Sequence, residues 1–549
     1  MRLRSGASGA FTHIAFLVSA ASLGCSSLPR AIPADTQPAI TAADLSRRLS
    51  TFADDSMLGR SATNSGHERA VRYLAAEVAR MGLEPAGENG TYFQTFSIRD
   101  RRLNSASRLT VDDTVLRPAT EFKVFAFGRG ELRPVAAAQV VFGGIVGDTS
   151  TQISAQEATN RVVLLDVPSN MTPERVYANV IYGPESRFKD AAAVAIASLD
   201  YLTPSQRAIT SSVGLADSTE ALANTHPTTI LVSRRVAQLL LGRSTEGAKA
   251  GILGRTVNGT LQVDEALHPA RNVVAILSGT DTVSRHQYVA LGAHSDHLGI
   301  SLRPLEHDSV RAYSLERLRR DQRQPGADAP VIVNVDSLRR LRAPRPDSIF
   351  NGADDDGSGS VALLEIAEQL AQTARPKRSV LFVWHAAEEM GLVGSGWFTD
   401  HPLVPLDSIV AELNLDMVGR GGAGDVAGGG PDYLEVIGAT RRSPELGRII
   451  DEVNRSSQRP FALVKTDPHS VFCRSDHWSY ARFGIPVAFF TTGPHADYHR
   501  VTDEAQYVDY SKLERVTRFV SDVVRSLANS SERFEPAPRG PRFAAFCSG

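Results

Sequence analysis

Four apolar runs in this sequence lead into side chains that can bind metal ions. Gln287–Ala293 leads to His294, with Asp296 two residues on, and Ser379–Trp384 leads to Glu388-Glu389. Ile409–Leu415 ends at Asp416, and Pro486–Phe490 leads to a loop carrying His495, Asp497, Tyr498 and His499. The run Asp354-Asp355-Asp356 adds a further acidic group. One polar residue at a strand end is ordinary solvation or capping. Carboxylates gathered from separate strands need a counter-charge, and no matching set of lysines and arginines flanks these positions in the sequence. A bound cation cluster supplies it. Imidazole plus carboxylate without thiolate suits zinc, and less specifically manganese, cobalt or iron. Asp355, Glu389 and Asp416 bring three negative charges; two divalent ions and a bridging hydroxide balance them. Two such ions about 3.5–4 Å apart polarise a carbonyl and acidify the water between them. On this ground alone the last loop offers His495 and His499 equally.

Glu388 and Glu389 are adjacent, and neighbouring side chains in extended backbone point to opposite sides. One can therefore bind metal while the other faces substrate. A carboxylate beside bound water takes its proton and passes it to a leaving amine. A Glu-Glu pair is usually a solvated face, but this one follows an apolar strand and precedes Gly391 and Gly394.

The elements that must position these groups alternate between strand and helix from about residue 272. A helix is expected after Gly357-Ser358-Gly359-Ser360, with a serine as its cap and Leu363, Ile366, Ala367 and Leu370 on one face. This alternation predicts an α/β sandwich around a mostly parallel sheet, whose ligands gather beyond the carboxyl ends of the strands. Upstream, residues 41–98 read as helix-rich, with an amphipathic run from His67 to Met81 ended by Gly82. Short apolar runs such as Val162–Leu165 between Gly, Asp and Ser turns make residues 110–262 a separate β-rich module. The Arg-rich stretch from Ser301 to Phe350 reads as a long loop. His297, His385 and His477 read as packed or supporting residues, and Trp384, Trp397 and Met417 as core.

The blocks His294-Ser295-Asp296, Ala353–Gly359, Glu388–Ser395, Asn414–Gly419 and Tyr498-His499, in that order, resemble metallopeptidase family 28, the co-catalytic zinc aminopeptidases. Asp55–Arg60 and Tyr92–Phe96 are similar to the family's N-terminal segment. The resemblance implies a three-layer zinc exopeptidase fold with two zinc ions per chain. By it, Asp355 bridges the ions, His294 and Asp416 complete one site, and Glu389 and His499 complete the other. It makes Glu388 the general base, Asp296 the carboxylate that orients His294, Tyr498 the group that steadies the oxyanion, and Arg474 a substrate contact. It gives residues 41–109 and 263–532 to the peptidase domain and makes 110–262 a protease-associated-like insertion. The sequence departs from the family where Asp354 replaces a frequent Asn and where residues 301–350 lengthen a normally short connection, roofing the cleft. The implied reaction is release of N-terminal amino acids from a peptide with a free N-terminus. Carboxypeptidase cleavage and glutaminyl cyclisation belong to the same fold, and a receptor-like binding module is a further alternative.

The rest of the chain bounds these expectations. Its 549 residues exceed one core, and a formal net charge of −2 gives no sign of a nucleic-acid partner. Arg2, Arg4 and the apolar stretch from Ile14 to Leu23 suit a signal peptide over residues 1–25, followed by a linker over 26–40. Cys25, after Ser22-Leu23-Gly24, resembles a bacterial lipoprotein cleavage box. The product is then exported: periplasmic, secreted, or an outer-membrane lipoprotein touching the membrane only through a lipid anchor at Cys25. Three cysteines make no disulfide framework; Cys473 either pairs with Cys547 or is a buried thiol. Residues 533–549 read as a tail.

Overall fold

The computed structural model describes residues 36–532 and 534, apart from 119, 126–131, 169–170, 172–175, 177–186, 203–211, 218–226, 324–330 and 332. The leader, Cys25 and Cys547 lie outside the described residues; Cys473 is disulfide-bonded. No helix among the described residues is long and apolar enough to cross a membrane.

The central sheet is built on β1 (Phe93–Leu103), β2 (Val263–Leu277), β3 (Tyr288–His294), β4 (Ser379–His385), β5 (Ile409–Leu415), β6 (Tyr433–Ile437) and β7 (Val487–Thr491). Their order is β6-β7-β5-β3-β4-β2-β1, with Ala462–Val464 and Ser212–Asp217 at the two edges. The four strands β7, β5, β3 and β4 are parallel. All seven residues of β4 are buried, as expected of a strand covered on both faces, and this is why such strands read as unbroken apolar runs. Among the described residues the longest helices are α1 (Ser65–Arg80), α2 (His307–Arg323), α3 (Gly359–Gln372) and α4 (Tyr510–Asn529). The α1 helix starts at Asn64, whose side chain accepts from the N–H groups of Gly66 and His67, and Gly82 then takes a left-handed φ of 76°. Beyond it the helix-rich expectation for 41–98 ends early, because β1 begins at Phe93.

A second, eight-stranded sheet takes strands between Arg108 and Thr260. Its strands bury separate apolar clusters, one around Phe122, Val140, Leu164 and Val232, the other around Val163, Leu165, Val194 and Leu231. The long β1 and β2 pair antiparallel from Val263↔Leu103 to Val273↔Phe93 and so run from the central sheet to the chain's entry into and exit from this module.

The stretch 301–350 is not the loop its composition suggests. Strand Gly299–Glu306 pairs with Pro346–Phe350, and between them lie α2 and a short helix, Val335–Leu341. The base of this unit presses on Gly59, whose φ is 62° and where a Cβ would meet the carbonyl oxygen of Gly299 at 2.2 Å and that of Phe350 at 2.7 Å. Helix α3 begins at Gly359, but the Ser358 hydroxyl donates to the Asp354 carbonyl instead of capping it. Asp356 Oδ1 accepts the Gly359 N–H instead.

Candidate metal centre

The parallel register sets His294 at the carboxyl end of β3 beside His385 at the end of β4. Asp416 directly follows β5, and the loop after β7 returns with Tyr498 and His499. Of the three consecutive aspartates, the backbone leaves one carboxylate for these histidines. Asp354 Oδ1 accepts the Gly419 N–H at 2.7 Å. Asp356 accepts the N–H groups of His294 and Gly359 at 2.9 and 3.0 Å. Asp355 instead places Oδ1 3.1 Å from His294 Nε2 and Oδ2 3.2 Å from His499 Nε2.

Two sets of groups share that carboxylate. In one, His294 Nε2 also lies 3.6 Å from Asp416 Oδ1; in the other, His499 Nε2 lies 3.0 Å from Glu389 Oε2. Tetrahedral zinc with bonds of about 2.0–2.2 Å separates its ligands by about 3.3–3.6 Å. The observed separations of 3.0–3.6 Å reach that spacing at one pair and fall 0.1–0.3 Å short of it at the other three, close enough for small side-chain shifts to admit an ion. Asp416 Oδ1 is buried without a hydrogen-bond partner, as a metal-ligand atom would be before the ion binds. The donor set therefore fits zinc. Asp356, near His294 and Asp416 and so another ligand candidate, has its oxygens engaged by backbone N–H groups and is better read as a brace.

Electrostatics carries the same message. Burial disfavours a charged His294, yet Asp416, Glu388 and Asp355 hold its pKa well above the usual value. Burial likewise opposes a charged His499, while Glu389 and Asp355 raise it to about 10. Burial would raise Asp355, but His294, His297 and His499 keep it well below the carboxylate range. Without an ion, protons on imidazole supply the positive charge that the carboxylates require. Glu388 behaves differently: burial, with Glu389 and Asp416, pushes it well above the usual value against the pull of His294. Its Oε2 lies 4.0 Å from His294 Nε2.

The supporting residues differ in detail from the sequence reading. The backbone carbonyl of Asp296, not its carboxylate, lies nearest the His294 ring, 3.1 Å from Nδ1 against 3.7 Å. The Asp296 carboxylate instead accepts the Glu388 N–H at 3.0 Å, so it positions the two glutamates. His495 points elsewhere, with Nε2 3.4 Å from Asp354 and Nδ1 accepting the Asp497 N–H. His297 is more than a packed residue: it is buried, with Nδ1 2.7 Å from Glu389 Oε1. Met417, expected in the core, is buried but lines a cleft with Glu388, Asp416, Val471, Arg474, Phe489, Pro494, Tyr498 and His499. Tyr498 stacks on His499 with ring centroids 3.8 Å apart. Burial keeps its hydroxyl protonated, with its pKa well above the usual value although Arg474 opposes the shift.

Two residues escaped sequence reasoning. Ser475 donates to Asp416 Oδ2 at 2.8 Å and accepts from Asn414. Arg60, fully buried, donates to the carbonyls of Ser295, Asn351 and Gly352, tying together the loops that carry His294 and Asp355. Arg60 ends the hexapeptide Asp55–Arg60 of the N-terminal segment, which was the available signal.

The family model described as peptidase family M28 matches residues 272–524. A probable leucine aminopeptidase of Arthroderma otae is 27% identical over 226 residues, 38% of this chain and 56% of that protein. Leucine aminopeptidase 1 of Paracoccidioides brasiliensis is 30% identical over 187 residues, 32% and 46% of the two chains. The chain spans about half the length of these curated relatives. Among solved structures, an aminopeptidase from Aneurinibacillus sp. strain AM-1 aligns with a TM-score of 0.52 at 15% identity, covering 91% of this chain and 97% of that one. A zinc aminopeptidase from Bacillus subtilis gives 0.51 at 15%, covering 90% and 97%. At such identity the likeness establishes the fold alone, a mixed α/β architecture.

Proposed function

Because residues 272–524 match the model of peptidase family M28, we propose that this chain is an exported two-zinc aminopeptidase, hydrolysing the peptide bond after a free N-terminal residue. The observation that carries the reading is Asp355, whose two oxygens face His294 and His499 at 3.1 and 3.2 Å. His294, Asp355 and Asp416 would hold one ion, and Asp355, Glu389 and His499 the other. Zinc bound there supplies Lewis-acid polarisation of the scissile carbonyl and acidification of water.

The chain's own groups supply the rest. Glu388, held at its backbone by Asp296, takes a proton from the attacking water and delivers it to the leaving amine. The Tyr498 hydroxyl, kept protonated by burial, donates to the developing oxyanion. The substrate's free amine is held by the acidic groups beside the metals. Met417, Val471, Phe489 and Pro494 form an apolar wall of the cleft, which favours an apolar N-terminal side chain and agrees with the leucine aminopeptidase names of the relatives. Export rests on the N-terminal leader, with a lipid anchor at Cys25 or a free product as its two outcomes. Residues 110–262 act as a protease-associated-like module.

A second reading, carboxypeptidase cleavage, has Arg474 in its favour, a cation on the cleft wall. Leucine p-nitroanilide compared with its N-acetylated form, and with a peptide ending in Glu, separates the two. Turnover of the free-amine anilide alone supports the aminopeptidase. Release of the C-terminal Glu alone overturns it.

A further inference from the structure

The unit formed by residues 299–350 touches the His499 loop at separate points. From α2, Arg311 Nη1 donates to Asp497 Oδ2 at 2.5 Å, and its guanidinium lies 3.4 Å from the centroid of the Tyr507 ring. Asp497 is fully buried and immediately precedes Tyr498-His499. It also accepts from Arg420 at 3.0 Å and from Thr502 at 2.7 Å. About three helical turns further along the same face of α2, Gln322 donates to the carbonyl of Ala423 at 2.8 Å, in the glycine-rich segment between Arg420 and its partner Asp425. At the base of the unit, His307 Nε2 lies 3.1 Å and Arg345 Nη2 3.9 Å from the Glu504 carboxylate. Glu504 follows Asp503, whose carboxylate accepts the N–H groups of Asp354 and Asp355.

His307, Asp347 and Glu504 lie close enough to hold an ion themselves. Arg342 and Arg345 already pair with Asp308, and Arg345 also stands beside Glu504, so the counter-charge is present without one. An ion-paired brace accounts for these contacts.

We propose that the 299–350 unit braces the metal-binding loop, and that Arg311 is the positioning residue that keeps His499 aimed at Asp355 and Glu389. This inference rests on the two-metal reading. His499 is the most exposed of the proposed ligands, its side chain 27% accessible, and it sits in a left-handed backbone conformation with φ 56°. The loop is anchored by buried neighbours such as Asp497, Val501 and Asp503, so the aim of its one partly exposed ligand depends on how firmly those anchors are held. If the tie is lost, ordering the loop must be met from ion binding, which weakens affinity at that position. Asp355 would lose one of its two histidine partners, while His294 and Asp416, which stand on strand ends, would keep their geometry.

The test is stepwise metal binding by the full exported chain, measured with a competing chelator, for wild type, R311L, R311K and H499A. H499A identifies which of the two constants belongs to the His499 side. R311L is expected to weaken that constant alone, by about 10–100-fold as for other groups that support metal ligands. R311K, which keeps the charge facing Asp497, should recover part of the loss. Two wild-type constants in R311L overturn the brace while leaving the two-metal reading intact. A wild-type chain that binds fewer than two ions overturns the two-metal reading and the brace with it. If R311L does not fold, R311K decides: a weaker His499-side constant at unchanged Tm supports the brace, and an unchanged constant overturns it.

Discussion

Glu388 and Glu389, adjacent in the chain, serve opposite halves of the centre. Glu388 reaches to within 4.0 Å of His294 Nε2, whereas Glu389 lies 3.0 Å from His499 Nε2. The backbone here is a turn, not the extended strand the sequence suggested: Ala387 has a left-handed φ of 58°, and the Glu388 carbonyl accepts the N–H groups of Gly391 and Leu392. The Asp296 carboxylate pins the Glu388 N–H, so the two side chains diverge. Replacing Glu388 by Gln keeps the shape but removes the base. Turnover should fall about 10²–10⁴-fold while metal content, read by elemental analysis, stays at the wild-type level. Loss of an ion from E388Q would make Glu388 a ligand instead.

Asp355 is the only member of its aspartate run that faces both histidines. Asp355→Ala should therefore lower metal content at both positions, whereas His499→Ala should lower it at one. Elemental analysis after dialysis distinguishes them. Two ions retained by D355A would contradict the bridging role.

A third expectation concerns stability away from the centre. Arg48 is buried against Glu77, Glu365 and Glu368, and Arg80 pairs with Glu77 and Glu368. Three carboxylates against two guanidinium groups leave one proton to be kept. Burial, against the pull of Arg48, raises Glu365 to about 7. A carboxyl raised above its unfolded value contributes stability that is full below about pH 4.5 and lost as pH rises through about 7. In this window the slope is at most about 1.4 kcal/mol per pH unit. Glu365→Gln should flatten the fall in Tm between about pH 5 and pH 8. An E365Q profile that falls in parallel with wild type would place the proton elsewhere.

How much of this was legible in the sequence depends on what each residue answers to. His294, Glu389 and Asp416 follow β-strands buried on both faces, so an unbroken apolar run announced them. The choice of Asp355 over Asp354 and Asp356 turned on which carboxylates take backbone N–H groups from Gly419, His294 and Gly359. Those partners are distant in sequence, and composition carries no trace of them. The same holds for Asp296, whose carboxylate serves Glu388 in the turn that follows β4. The 299–350 unit was misread because α2 is polar along most of its length, with few residues buried. Its helix is held by ion pairs and leaves no apolar stripe to read.

The most direct test of the central claim is metal titration of the chelator-stripped chain, scoring hydrolysis of leucine p-nitroanilide beside its N-acetylated form. Activity should be absent without metal, return with two equivalents of zinc per chain, and appear only on the free amine. Full turnover by the stripped chain, or equal turnover of the acetylated substrate, would contradict a two-zinc aminopeptidase.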